Sequence, residues 1–264
     1  MTRTIITVLF CGLLTLGCGD SSATPERKTH STSPAVLSRI DEIFKSWPNK
    51  GMWLPDEKEI SFFRSNFDQS RGALAKALSN KEPKVRMRAA YVIDKIGPEA
   101  KSFGPDLIDH LQSEDDEVVR MYLVNALGSI EFRDPAALAV LRQRFDSLSA
   151  ANVPPRSDLS YAEVDEKINT AAALYRLDLS PQRLEYLNFV LQWLHPPSET
   201  LSPADRTGYW ERRWVAVTSL ERMRDAKDAI PLLEAMEHEP KAKMWVSVHV
   251  PRVLGVLRKA DAKQ

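Results

Sequence analysis

The stretch VRMRAAYVIDKIGP, residues 85–98, decides the fold, because it returns 34 residues later as VRMYLVNALGSI, residues 119–130. In both copies a cation, Arg86 or Arg120, is followed seven and ten residues later by a large apolar residue. These apolar pairs are Ile93/Ile96 and Leu127/Ile130. Apolar residues at three- and four-residue spacings are typical of one face of a helix, so each copy predicts a helix.

The same spacing recurs three more times along the chain. The later copies are Lys167 with Leu174/Leu177, Arg213 with Leu220/Met223, and Ser247 with Leu254/Leu257. Another helical pattern precedes every copy, marked by Leu74/Leu78, Leu107/Leu111, Leu138/Leu141, Leu187/Leu191 and Leu232/Leu233/Met236. A helical pair cannot bury its apolar face alone, so successive pairs are expected to stack. We therefore predict an all-α fold, an α-solenoid of about five helical pairs over residues 68–260.

Two segments rich in proline and serine, residues 147–160 and 195–207, interrupt the repeat. They lengthen two of the steps between copies to 47 and 46 residues. Both fall on the same type of connection, and such insertions often lie on one face of a solenoid, where they shape a binding surface.

Residues 34–67 are less regular than the repeats. Residues 34–47 and 55–67 each have a helical apolar pattern, separated by a turn-rich connector. Terminal repeats of a solenoid are commonly atypical, so we predict that 34–67 form an N-terminal helical cap.

The repeats resemble the HEAT-repeat family, in the short bacterial form also seen in bilin-lyase-related proteins. Two segments carry the resemblance: residues 82–86 with Ile96-Gly97, and residues 115–120 with Ala126-Leu127-Gly128. The second copy departs from the first in having Glu131 where the first has Gly97. The resemblance is informative about fold and says little about function.

The first twenty residues have the layout of an export signal. A single cation near the start is followed by an apolar run from Ile5 to Leu16, which is too short to span a bilayer. Residues 14–18, Leu-Thr-Leu-Gly-Cys, resemble the bacterial lipobox, although the position three before the cysteine, usually leucine, is Thr15. The resemblance implies a lipoprotein signal peptide at residues 1–17 and lipidation of Cys18.

Residues 18–33 are polar and lack an apolar period, so we predict a flexible tether between a lipid anchor and the folded body. This interpretation places the protein in the cell envelope, exported and lipid-anchored to a membrane. The alternative is an ordinary secretory signal cut near Ala23, with Cys18 present by chance.

Composition argues against several kinds of site. Lys+Arg and Asp+Glu are both 36, and a nucleic-acid binder would usually carry a basic excess, although a local patch could still exist. The two cysteines, Cys11 and Cys18, both precede the body, and the histidines do not form a metal-binding pair. We expect no metal, no cofactor and no catalytic motif, and therefore not an enzyme.

Two sets of residues are candidates for a role in binding. The cation column Arg86, Arg120, Lys167 and Arg213 is either a stripe for an anionic ligand or a structural ladder. Within the HEAT resemblance that position is structural, which favours a ladder that bonds carboxylates or carbonyls of the adjacent repeat. The second set, Trp210, Arg213, Trp214 and Trp245, has the composition of an interface hot spot, or else fills the core.

These observations favour a membrane-anchored HEAT-repeat scaffold of the bacterial cell envelope that binds a protein or peptide partner. The alternative is a ligand-binding or lyase-like enzyme on the same scaffold.

Overall fold

Prolines and aspartates mark the starts of many helices in the computed structural model of the protein. Pro34, Pro83 and Pro135 lie in first turns, where the missing N–H costs no hydrogen bond. Asp116 caps another helix by accepting hydrogen bonds from the backbone N–H groups of Val118 and Val119. The structure describes residues 33–49, 54–148, 161–198, 200–239 and 244–262.

Within these ranges the chain is helical and contains no strand. The α-helices are α1 Pro34–Ser46, α2 Glu57–Ser65, α3 Phe67–Leu78, α4 Pro83–Ile96, α5 Gly104–Ser113, α6 Glu117–Ser129, α7 Pro135–Ser147, α8 Tyr161–Leu177, α9 Arg183–Leu191, α10 Pro203–Leu220, α11 Ile230–Glu237 and α12 Met244–Asp261. Short 3₁₀ helices lie at Trp47–Asn49, Gly97–Phe103, Gln192–Leu194 and Lys227–Ala229.

The helices from α3 onward form five consecutive pairs. The second helices of the pairs, α4, α6, α8, α10 and α12, pack side by side in one continuous row. First helices pack on this row, as α3 does on α4 and α11 on α12, while α9 contacts both α8 and α10. The predicted all-α solenoid of helical pairs is therefore confirmed.

The N-terminal helices α1 and α2 cover the first end of this stack. Helix α1 packs on α3, and α2 packs on α3 and α4. Between them Trp47 and Phe63 are fully buried, and the edge of Trp47 meets the ring of Phe44 with centroids 4.5 Å apart. The main-chain carbonyl of Trp47 accepts a hydrogen bond from Arg88 of α4, which ties the start of the chain to the first repeat.

Each of the two proline- and serine-rich segments connects the two helices of one pair, the first in the third pair and the second in the fourth. One separates α7 from α8 and the other separates α9 from α10. Residues 149–160 of the first lie outside the described part of the chain. Pro251 lies inside α12, which begins seven residues earlier at Met244. Among the described helices none combines the length and apolar character needed to cross a membrane.

Candidate functional site

The cation column forms a ladder between repeats. Arg86 holds both carboxylate oxygens of Glu114, at 2.7 Å and 2.6 Å, and its Nη1 donates to the backbone carbonyl of Asn80 at 2.8 Å. Arg120 repeats the arrangement one pair further on. Its Nε lies 3.3 Å from Glu166 Oε2, and its Nη1 donates to the carbonyl of Asp115 at 2.7 Å. In each case the carboxylate belongs to the next repeat, and the carbonyl precedes the cation's own helix.

The two later members of the column are deeper in the fold. Lys167 donates to the carbonyl of Leu148 at 2.9 Å and lies over the ring of Phe145 at 4.5 Å. Arg213 is 1% exposed; it donates twice to the carbonyl of Leu194 and pairs with Glu239 at 2.6 Å. Burial lowers the pKa of Lys167, because the charged ammonium loses water.

The column is therefore the structural ladder and not a stripe open to a ligand. One detail of the expectation is wrong: the carbonyls bonded come from the cation's own repeat, and only the carboxylates come from the neighbouring one. Arg86 and Arg120 lie in the first turn of a second helix, directly after the connection that supplies those carbonyls. Lys167 and Arg213 lie further along their helices, and each bonds a carbonyl 19 residues earlier, near the end of the first helix of its own pair.

The predicted tryptophan set is not brought together on the surface. Trp210 is 5% exposed, and the guanidinium of Arg213 lies 4.9 Å above its ring. Trp214 is 39% exposed and contacts the ring of His249 edge-on, with centroids 6.1 Å apart. The side chain of Trp245 lies outside the described residues, as does Cys18. Of the described members of this set, Trp214 alone presents its ring to solvent.

A cavity of about 430 Å³ lies where the second helices end. It is lined by residues from α2, α4, α6, α8, α10 and α12 and from the turns that follow α4 and α10. The charged lining consists of Arg64, Lys95, Arg176, Arg222, Arg224 and Arg252, with Asp94 and Glu221. Six cations face two carboxylates, which leaves a formal surplus of four positive charges in a chain whose net charge is zero.

Three of these cations occupy one repeat position. Lys95, Arg176 and Arg222 each lie nine residues after a member of the ladder, and the remaining repeat has Ser129 there. This second column was missed in the sequence, although the register that revealed the ladder contains it. Apolar spacing indicates which residues share a helix face, but it does not show that helix ends from distant repeats meet.

Asp94 contacts three other residues that line the cavity. Its Oδ1 accepts a hydrogen bond from Ser129 at 2.5 Å and lies 3.7 Å from Arg222 Nε, while its Oδ2 lies 3.2 Å from Lys95 Nζ. Burial opposes ionisation of this carboxyl, but Arg222, Lys95 and Ser129 outweigh it and hold the pKa of Asp94 below its usual value. The contact with Arg222 joins the first repeat to the fourth.

The other cations of the cavity differ in the bonds that they make within the protein. Arg176 pairs with Glu131 at 2.6 Å, and Arg252 pairs with Glu221 at 2.5 Å. Arg64 donates to the carbonyl of Lys95 at 2.6 Å. Arg224 is exposed in the turn after α10, and its charge helps to lower the pKa of Glu131, although within the described residues no ion pair or hydrogen bond holds its guanidinium. Arg64 also lies 3.9 Å from Glu57. With Glu131 and Glu57 counted beside Asp94 and Glu221, the six cations exceed the carboxylates by two.

Comparison with known proteins identifies the repeat itself. Residues 73–153 match the family of HEAT repeats. Over these residues the chain is similar to HEAT repeats. The matched segment begins in α3 and runs past the end of α7, so it includes both of the strongly matching sequence copies.

The remaining comparisons add nothing about function. No curated protein matches the chain. A crystal structure of an engineered protein, 15% identical, aligns over 87% of this chain and 94% of its own with a TM-score of 0.37, which is too low to carry an argument. Among the described residues no group of histidines, cysteines and carboxylates is arranged to hold a metal ion.

Proposed function

We propose that this protein is a HEAT-repeat interaction scaffold of the bacterial cell envelope, which binds a protein partner on the row of second helices and is anchored to a membrane through Cys18. The observation that carries the binding part is the cavity at the ends of α4, α6, α8 and α10. Concave sites with a few convergent charged groups are typical of binding sites. HEAT repeats commonly mediate protein interactions, which agrees with this assignment.

The cavity is favoured over the tryptophan set as the place where a partner binds. Most of Trp210 and Arg213 is already occupied by neighbouring side chains and carbonyls of the fold. The cavity instead collects long, partly exposed side chains from several repeats, and one of them, Arg224, is left for an external group. A partner that bound here would contact several repeats at once.

The binding part is tested by site-specific photo-crosslinking in cells. A photoreactive amino acid at Thr218, which lines the cavity, is expected to give a discrete adduct with one partner protein. The same amino acid at Leu184 serves as the matched control and should give no adduct. Leu184 is an exposed residue of α9, the first helix of the fourth pair. Adducts from Leu184 without adducts from Thr218 would move the binding surface to the first helices.

The anchor is tested by intact mass and detergent partitioning of the expressed protein beside a Cys18→Ser variant. A chain processed at the lipobox loses residues 1–17, gains the mass of its acyl chains and enters the detergent phase. Stable anchoring is expected because several acyl chains hold a protein far more firmly than one. A native chain that partitions like Cys18→Ser would remove the anchor from the proposal.

A further inference from the structure

We infer that the cavity at the ends of the second helices binds an acidic peptide segment of the partner, through at least two of its Asp or Glu carboxylates. This inference rests on the proposed scaffold function and specifies the chemistry of what it binds.

The charge of the cavity requires an anion from outside the fold. Six cations converge on about 430 Å³, and the four carboxylates that contact them, Asp94, Glu131, Glu221 and Glu57, leave two positive charges in surplus. Like charges held close together raise the free energy of the empty site, so an external anion is bound favourably there.

The fold itself shows that these cations bind carboxylates. Arg176 binds Glu131, Arg252 binds Glu221, and Arg222 with Lys95 binds Asp94. Five of the six cations are arginines, whose planar guanidinium groups match the two oxygens of a carboxylate. Because most of these arginines keep part of their surface exposed, a guest carboxylate could share or replace the internal one.

The position of the cavity favours carboxylates over a phosphate group. Arginine also binds phosphate, but compact phosphate sites usually use backbone N–H groups at helix N-termini. This cavity lies instead at the C-terminal ends of α4, α8 and α10, where carbonyls give a partial negative charge. Two of the arginines donate hydrogen bonds to such carbonyls: Arg64 to the backbone carbonyl of Lys95, and Arg176 to that of Arg222. The positive charge that faces a ligand is therefore carried at the tips of long side chains.

The spread of the cations favours a peptide over a single compact anion. They come from α2, α4, α8, α12 and the turn after α10, which surround the opening from different repeats. A segment with carboxylates on neighbouring residues can reach several of these cations at once. One small anion would leave the others unpaired.

The test is fluorescence anisotropy of a labelled octaglutamate peptide with the purified full-length chain at low and at high salt. We expect saturable binding that weakens as salt is added. Arg224→Gln and Arg252→Gln should each weaken it about two- to fivefold, as the loss of one solvent-exposed charge contact does. Arg71→Gln is the matched control, because Arg71 is exposed on α3 and does not line the cavity.

Each other outcome overturns the inference. Equal weakening by Arg71→Gln would mean attraction to the whole surface, and no saturable binding would mean no acidic ligand. Tighter binding of an eight-unit polyphosphate with the same arginine dependence would assign the cavity to phosphate, and binding only to phosphatidylglycerol vesicles would assign it to a membrane. If the peptide fails while Thr218 still crosslinks a partner, the scaffold stands and the acidic ligand does not.

Discussion

The residue after the second repeat shows how a departure from the repeat pattern is accommodated. Gly97 ends α4 with φ 77°, and Glu131, at the same repeat position, has φ 55°. Positive φ favours glycine, and a residue with a Cβ is strained there by about 1 kcal/mol. Glu131 offsets this strain through its ion pair with Arg176, which also lowers the pKa of the Glu131 carboxyl.

This balance predicts different free energies of unfolding for two substitutions of Glu131. Glu131→Gly loses the ion pair but relieves the backbone, so its free energy of unfolding should stay within about 0.5 kcal/mol of the native value. Glu131→Ala loses the pair and keeps the strain, so it should be less stable by about 1 kcal/mol. Urea unfolding followed by circular dichroism measures both. Equal stabilities of the Gly and Ala variants would mean that the backbone is not strained.

Asp165 of α8 is a second residue whose environment is unfavourable. Burial raises its pKa to about 7, although Arg212 counteracts this, and its Oδ1 has no hydrogen-bond partner among the described residues. The unfolded carboxyl titrates near 3.8. Because the folded pKa is the higher one, the neutral carboxyl contributes stability that is complete below about pH 4 and is lost as the pH rises to about 7.

Asp165→Asn should therefore stabilise the protein in a pH-dependent way. At pH 8 we expect a gain of about 2 kcal/mol in the free energy of unfolding, less than the full shift implies because the site is partly exposed. The gain should shrink as the pH falls and vanish about one pH unit below 3.8, where the carboxyl is neutral in both the folded and the unfolded protein. Asp41→Asn, at an exposed aspartate of α1, is the control and should follow the native curve. A gain that is constant from pH 4 to pH 8 would contradict the buried titration.

At the scale of the elements, the row of second helices depends on close approach. A Cβ placed on Gly128 of α6 would lie 3.1 Å from both Cα and Cβ of Ala173 in α8. Gly72, in the middle of α3, has open space around it and nothing within 4 Å. The two glycines are both helical, so they separate packing from backbone propensity.

Substitutions at these glycines should act in opposite directions. Gly128→Val forces α6 and α8 apart and should cost about 2–3 kcal/mol, as overpacking of a core does. Gly72→Ala relieves the low helix propensity of glycine and should stabilise by about 0.5–1 kcal/mol. Thermal and urea unfolding of both variants measure the effects. A Gly128→Val protein of native stability would mean that α6 and α8 are not packed this closely.

Helical spacing predicted most of this architecture. The leucine and isoleucine pairs placed the helices, and the shift of 34 residues identified the ladder at Arg86 and Arg120. The second column, including Arg176 and Arg222, has the same register but no local pattern that distinguishes it from ordinary exposed cations. The column becomes recognisable only when helix ends from distant repeats are seen to meet, and this depends on the packing of whole helices.

At the scale of the whole molecule, helix ends from distant repeats meet at the cavity. The bond between Asp94 of the first repeat and Arg222 of the fourth crosses two intervening repeats. Because cations of several repeats line one cavity, a chain with no net charge concentrates positive charge at one place. Binding sites commonly carry such unfavourable arrangements, because function selects against the most stable alternative.

The central claim is that the cavity carries positive charge that the fold does not neutralise, and the most direct measurement is the free energy of unfolding of Arg224→Gln. At low salt this variant should be more stable than the native protein by about 0.5–1 kcal/mol, because one of the converging cations is gone, and the gain should shrink as salt screens the cavity. Arg71→Gln should change little at either salt concentration. If Arg224→Gln is instead destabilised, or shows no dependence on salt, the cavity has no surplus charge and the account fails.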